Sequence, residues 1–307
     1  MVNPGNLMAG KRGLVMGVAN DHSIAWGIAK AAHNQGAHLA FTYQGEGVGK
    51  RVRPLAASVG SALVLPCDVT NGDSVTGVFD ALKKAWGTLD FVVHAIAYSD
   101  KRELKGRYVD TSRENFAMTM DISCYSFTDI ARRASELMPS GGSLLTLTYA
   151  GAERVMPNYN VMGVAKAALE ASVRYLASDL GRAGIRVNAL SAGPMRTLAG
   201  SAISDARLVF RWNRLNAPLH RNMDLEDVGG AALYLLSDLS AGVTGEVHHV
   251  DGGYNVVGMP QGVDLKAAIN EMAAENGNGK TNGNGNGASE ASEDASATSP
   301  LPRAPLQ

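Results

Sequence analysis

Cysteine is scarce in this chain, with Cys67 and Cys124 the only two in 307 residues. They are distant in sequence and form no CxxC, which excludes a disulfide framework and a thiolate zinc site and leaves two buried thiols as the expectation. No stretch approaches the roughly 20 apolar residues that span a bilayer. The opening MVNPGNLMAGKRG lacks the apolar run of a secretory signal, so the sequence predicts a cytoplasmic protein with no membrane contact. A surplus of either charge is also missing: 28 basic residues face 29 acidic ones, the net charge is −1, and no basic block is present to track nucleic acid. A small-molecule partner is the expectation that remains.

Apolar residues are plentiful at 45%, enough for a packed core. They recur in short runs, RGLVMGV, AHLAFTY, SALVLPCDV, LDFVVHAIA, GSLLTLTY, GIRVNALSAG and GEVHHVDGG, separated by helix-like stretches at 23–35, 74–86, 113–138 and 160–180. Continuous apolar strands alternating with helices predict an α/β fold, a doubly wound, Rossmann-type, seven-stranded parallel sheet in a single domain. That domain is placed at 1–265. Residues 266–307 are read as a low-complexity, disordered tail, because from Asn276 onward the chain has no aromatic and no β-branched aliphatic residue with which to offset the entropy of ordering. The segment 196–220 breaks the strand–helix rhythm directly after the sixth strand. In such folds the ligand crevice lies at the carboxyl ends of the strands, so this irregular segment is a candidate substrate lid.

Residues 159–166 read YNVMGVAK at the start of a predicted helix. Seven helical steps amount to about 700°, so Tyr159 and Lys166 leave one face about 10 Å apart along the axis, and a ligand along that face touches both. A buried tyrosine beside a surface lysine is the alternative. At the first strand, GVANDHSIAWGIAKA fails the GxGxxG pattern, since its glycines are Gly17 and Gly27. Such a loop still holds a pyrophosphate where backbone amides and a helix N-terminus face it, with Ser23 as cap and hydroxyl donor. An ordinary strand–turn–helix connection is the competing reading. The second strand ends in FTYQGEG, where Gln44 with Glu46 nearby favours a free ribose 2′-hydroxyl, hence NADH, over a 2′-phosphate. Asp68, ending the third strand, either accepts from an adenine amino group or caps the next helix. His248 and His249 are adjacent in a predicted strand and face opposite ways, so they cannot share a metal ion. His22 and His94 are read as hydrogen-bonded structural residues.

Taken in order, GVANDHSIAWGIA, FTYQ, CDV, VHAIA, LTYAGAERVMPNYNVMGVAKAALE, RVNALSAGPMRTLA and SDLSAGVTGEVHHVDGG resemble the enoyl-acyl-carrier-protein reductases, a divergent branch of the short-chain dehydrogenases. Ordinary members carry Tyr and Lys four apart. Here they are seven apart, with Tyr149 ten residues upstream. The resemblance implies NADH-dependent reduction of the 2,3 double bond of trans-2-enoyl thioesters on acyl carrier protein, by a homotetramer, in fatty-acid synthesis. It makes Tyr149, Tyr159 and Lys166 the catalytic set, with Lys166 also holding the nicotinamide ribose. It implies cofactor contacts from Gly17, Ser23, Ile24, Gln44, Asp68, Val69, Ile96, Met195, Arg196, Thr197, Leu198 and Ala199, and places Ser99 where substrate enters. Ala97-Tyr98 replaces the Gly-Phe of many members, and a lid aromatic is replaced near Ala206; both bear on acyl-chain preference. Two alternatives stand beside this reading. One is a short-chain dehydrogenase reducing a keto group, for which Thr146 stands where the catalytic serine is found. The other is a dinucleotide-binding regulator without catalysis.

Overall fold

The computed structural model describes residues 5–197, 206–259, 266, 269 and 270. Seven strands, β1 (Arg12–Met16), β2 (His38–Tyr43), β3 (Leu63–Pro66), β4 (Phe91–His94), β5 (Gly142–Thr148), β6 (Ile185–Ala192) and β7 (Val247–Val250), pair in the order β3-β2-β1-β4-β5-β6-β7. Every pairing is parallel. The apolar runs of the sequence thus form a sheet covered on both faces, with Leu14, Phe41, Phe91, Val92, Leu144 and Val187 buried along it.

The helices are α1 (Ile24–Asn34), α2 (Glu46–Ser58), α3 (Gly72–Trp86), α4 (Arg113–Met120), α5 (Ser126–Ser135), α6 (Asn160–Leu180), α7 (Ala206–Asn216) and α8 (Leu225–Leu236). Three of them, α2, α7 and α8, lie outside the stretches marked as helical in the sequence. α2 contains Pro54 and two glycines, which weaken the local signal; its Gly49, Val52 and Ala56 are buried all the same. α8 carries Gly229 and Gly230 mid-helix. At Gly229 an added Cβ would stand 3.0 Å from the Gly27 carbonyl, and one at Gly27 would stand 2.9 Å from Leu225. These glycines let α1 and α8 cross closely, so Gly27 serves packing and not the loop after β1.

The stretch 113–138 is not one regular helix. Between α4 and α5 the residues Asp121–Tyr125 form a π-helical turn, a feature found disproportionately at functional sites. The segment 196–220 also departs from expectation, because α7 occupies much of it. Trp212 donates to the Tyr254 hydroxyl at 3.0 Å and Asn213 to Asn222 at 3.1 Å, and these contacts seat one face of the helix. By compactness the chain divides at Asp264/Leu265, and all the elements above belong to the first unit. Except for residues 266, 269 and 270, the tail predicted at 266–307 lies outside the described residues, as do Leu198 and Ala199.

Chain order reverses between β1 and β4, which lie side by side at the centre of the sheet. A doubly wound sheet opens its crevice at the carboxyl ends of the strands flanking that reversal. Gly17 follows β1 there and Ala95 follows β4.

Candidate active site

Gly17 has φ +96°, and a Cβ on it would stand 2.1 Å from the Ala95 carbonyl oxygen. Glycine is required for the chain to turn this tightly against the end of β4. Ser23 occupies the N-cap position of α1 but does not cap it. Its Oγ instead accepts from the amides of Ala19 at 3.0 Å and Asn20 at 3.1 Å, bracing the loop. No side chain caps α1 and no acidic residue stands in its first turn. A positive helix end without a built-in anion, behind a glycine turn, fits the pyrophosphate of a dinucleotide. Ile24 opens α1, half-buried beside that turn.

The ends of β2 and β3 come together. Asp68 accepts from the Thr70 amide at 3.0 Å and the Thr70 hydroxyl at 2.8 Å. These bonds, with help from the Gln44 amide, hold its carboxyl below the usual range. Asp68 does not cap the next helix; Asn71 does, accepting from the amides of Asp73 and Ser74. Val69 is half-buried next to it. Glu46 is engaged by Arg53, whose guanidinium donates to both carboxylate oxygens and to the Tyr43 hydroxyl and lies over the Tyr43 ring. Gln44 is exposed at this end.

At the other end, Tyr149 directly follows β5. Tyr159 is the N-cap residue of α6, one position before the helix and not within it. Asn158 (φ 56°) and Asn160 (φ 31°) flank it in the left-handed region, which costs on the order of 1 kcal/mol per residue. Asparagine tolerates that region better than other non-glycine residues. Asn160 donates to the Glu103 carbonyl at 3.2 Å, fixing the turn. The ring of Tyr159 stands edge-on to Tyr149, centroids 5.2 Å apart, and fills the space left by Gly151, where a Cβ would come 2.3 Å from its Cδ1. Tyr159 is 8% exposed. Burial pushes the phenols of both tyrosines above their ordinary range, so both are neutral donors.

Lys166, 6% exposed, donates from Nζ to the Leu147 carbonyl on β5 at 2.7 Å. Burial pushes its pKa down to about 8, with Cys124 and Glu170 acting in the opposite direction. His94, at the end of β4, is fully buried between the hydroxyls of Thr146 at 3.2 Å and Ser126 at 2.9 Å. Burial first, and then the charge of Lys166, push it down to about 3, so the ring is neutral. Thr146 turns its hydroxyl to the His94 carbonyl at 3.1 Å and is fully buried. His248 stacks near Tyr234 while His249 pairs with Glu153 at 3.1 Å, consistent with opposite faces of β7.

The loop after β4 carries Ile96, half-buried against the core, and the exposed Ala97 and Tyr98. Ser123, in the π-helical turn, accepts from the Tyr98 amide at 2.9 Å and donates to its carbonyl at 3.0 Å. Ser99 is buried; its hydroxyl donates to Asn115 at 3.2 Å and accepts from Thr119 at 2.9 Å. After β6, Met195 packs on the core, Arg196 lies over the Phe210 ring of α7, and the Thr197 amide donates to the Met195 carbonyl at 2.9 Å. The sequence alone assigns no site role to Gly151, Ser123, the two asparagines or Glu170. Glu170 did carry a signal, since it falls on the apolar stripe of α6 with Val161, Ala165, Leu169 and Val173.

Comparison with known proteins identifies the family. The family model described as "Enoyl-(Acyl carrier protein) reductase" matches residues 17–255. The chain is 68% identical over 262 residues to enoyl-[acyl-carrier-protein] reductase [NADH] 2 of Rhizobium meliloti, covering 85% of this chain and 98% of that protein. Among solved structures, the reductase of Anaplasma phagocytophilum in complex with NAD is 64% identical with a TM-score of 0.81, covering 84% of this chain and 98% of that one. The protein from Candidatus Liberibacter asiaticus is 60% identical with a TM-score of 0.82, covering 84% and 100%. The tyrosine pair, the buried lysine and the tight loop after β1 therefore stand in a chain that belongs to the enoyl-(acyl carrier protein) reductase family.

Proposed function

We propose that this protein reduces the 2,3 double bond of trans-2-enoyl thioesters carried on acyl carrier protein, with NADH as reductant, in fatty-acid biosynthesis. The observation that carries the reading is the buried, neutral Tyr159 phenol, fixed edge-on to Tyr149 at the N-cap of the helix that carries Lys166. NADH supplies the hydride that reaches the β-carbon. Charge then moves to the thioester oxygen, and Tyr159 donates a hydrogen bond to that enolate from a position set before reaction. A proton taken up at the α-carbon completes the addition. Tyr149 borders the acyl group. Lys166 spends one donor on Leu147 and directs its remaining protons and charge to the nicotinamide ribose. Gly17, Ser23 and Ile24 would hold the pyrophosphate, Gln44 the adenosine ribose, and Asp68 with Val69 the adenine. Ile96, Met195, Arg196 and Thr197 would border the nicotinamide, with Ser99 beside the substrate entrance.

The buried Thr146 hydroxyl, already donated to the His94 carbonyl, disfavours the keto-reducing alternative. No helix among the described residues is long and apolar enough to cross a membrane, and we place the enzyme in the cytoplasm. By analogy with the family we propose a homotetramer. Residues 266–307 are assigned to a separate tail.

The test is NADH oxidation with a crotonyl thioester and, in parallel, an acetoacetyl thioester. Crotonyl turnover that falls about 10²–10³-fold in Tyr159→Phe is expected, as for loss of an oxyanion donor. Turnover of the acetoacetyl thioester alone overturns the reading. So does silence on both with NADH binding intact, which would favour a regulator.

A further inference from the structure

Two side chains one turn apart on α6 grip consecutive residues at the end of β5. Lys166 Nζ donates to the Leu147 carbonyl at 2.7 Å, and Glu170 Oε1 accepts from the Thr148 hydroxyl at 2.6 Å. Tyr149 is the next residue. Glu170 is 7% exposed and Thr148 5%. A carboxylate on the buried face of a helix has to be offset by something, because burial favours its uncharged form.

We propose that Glu170 is the positioning residue that keeps Lys166 in its charged form, acting as a buried counter-charge one turn along α6 while its bond to Thr148 fixes the strand end that leads into Tyr149. The inference rests on the proposed role of Lys166 in the reaction. The groups facing Lys166 are Glu170 on its own helix, Cys124 in the π-helical turn and His94 on β4. Those facing Glu170 are Lys166 and Arg174 on its own helix, Glu153 in the turn after Tyr149, His249 on β7 and the Tyr159 phenol. Burial opposes the charge of Lys166 and holds its pKa near 8, while Cys124 and then Glu170 raise it. Removing that negative charge must therefore lower the titration of Lys166 further. Burial pushes the Glu170 carboxyl up, as Glu153 does, while the Thr148 hydroxyl, His249 and Arg174 act against that rise.

Glu170→Gln keeps an acceptor for Thr148 and nearly the same volume but removes the charge. Two measurements on the full chain are decisive: the titration of Lys166, followed by NMR of ε-carbon-labelled lysine without cofactor and assigned with Lys166→Met, and the alkaline limb of kcat/KM for a crotonyl thioester. Both are expected to move down by about one pH unit, so that the rate falls several-fold near pH 8.5 and stays within about two-fold near pH 6. Glu170→Asp should keep the titration close to wild type, and Thr148→Val, which breaks the bond but leaves the carboxyl in place, should move it less than Glu170→Gln does. If Glu170→Gln does not fold, Glu170→Ala must show the same downward displacement. An unchanged Lys166 titration in a folded Glu170→Gln overturns the inference, as does an equal shift in Thr148→Val. Failure of the wild type to reduce the crotonyl thioester would strike the proposed function instead and leave the Lys166 titration readable.

Discussion

The adenosine end and the chemical end of the crevice rely on different physics. At the adenosine end Gln44, Glu46 and Arg53 are exposed and Asp68 is half-buried, so every contact there competes with water. At the chemical end Tyr159, Lys166, Glu170, Thr148 and His94 are buried, each with a fixed partner. A charge interaction worth about 1 kcal/mol in water is worth about four times that at the effective dielectric of a protein. One end therefore spreads binding over several weak contacts, while the other concentrates its effect in a few groups whose protonation is set by their surroundings. The difference teaches that substitutions of similar size should have very unequal consequences along one ligand.

Among changes that leave the Tyr159 phenol intact, displacing it should have the largest effect. Gly151→Ala forces a methyl into the Tyr159 ring. With its cap bracketed by two strained asparagines, the phenol has little room to recover. About a 10²-fold loss of kcat is expected, with NADH affinity unchanged within about two-fold; steady-state rates and a cofactor titration check it. Wild-type turnover would mean that the aim of this ring does not limit the rate.

Next is acid stability. His94 titrates near pH 3 in the folded protein against about 6.5 when unfolded. Because the folded value is depressed, this contribution is fully present above about pH 6.5 and is lost as pH falls toward 3, at about 1.4 kcal/mol per pH unit. Urea unfolding at pH 7 and pH 5 should show a loss of about 2 kcal/mol that is largely absent in His94→Asn. Equal slopes in the two proteins would place the titrating group elsewhere.

The smallest effect belongs to the exposed end. Asp68→Ala should raise KM for NADH by about three- to ten-fold, the value of one hydrogen bond, and leave kcat within about two-fold. A comparable fall in kcat would erase the contrast between the two ends.

The strands were legible because parallel strands buried on both faces must be written as unbroken apolar runs. α6 was legible because its length and periodicity had no proline to interrupt them. The spacing of Tyr159 and Lys166 pointed to a shared surface, although Tyr159 achieves this as a cap and not as a helical residue. The π-helical turn left no such trace: it exists alongside the Ser123 bonds to the Tyr98 backbone and the Ser126 contact with His94, which join residues remote in sequence. Ser23 looked like a cap because a serine before a helix usually is one, yet a competing local turn takes its hydroxyl. α2 and α8 were obscured by glycines and a proline whose local cost is overridden by packing.

Hydrophobic patterning and motif order thus determined the sheet, its surrounding helices and the family of the chemistry, since these follow from which residues must leave water and from side-chain types at fixed spacing. Tertiary structure alone decided which groups are buried together. That set the neutral His94, the lowered Lys166 and the counter-charge of Glu170, because the protonation of a side chain depends on its dielectric surroundings and neighbouring charges, and neither is written in local sequence.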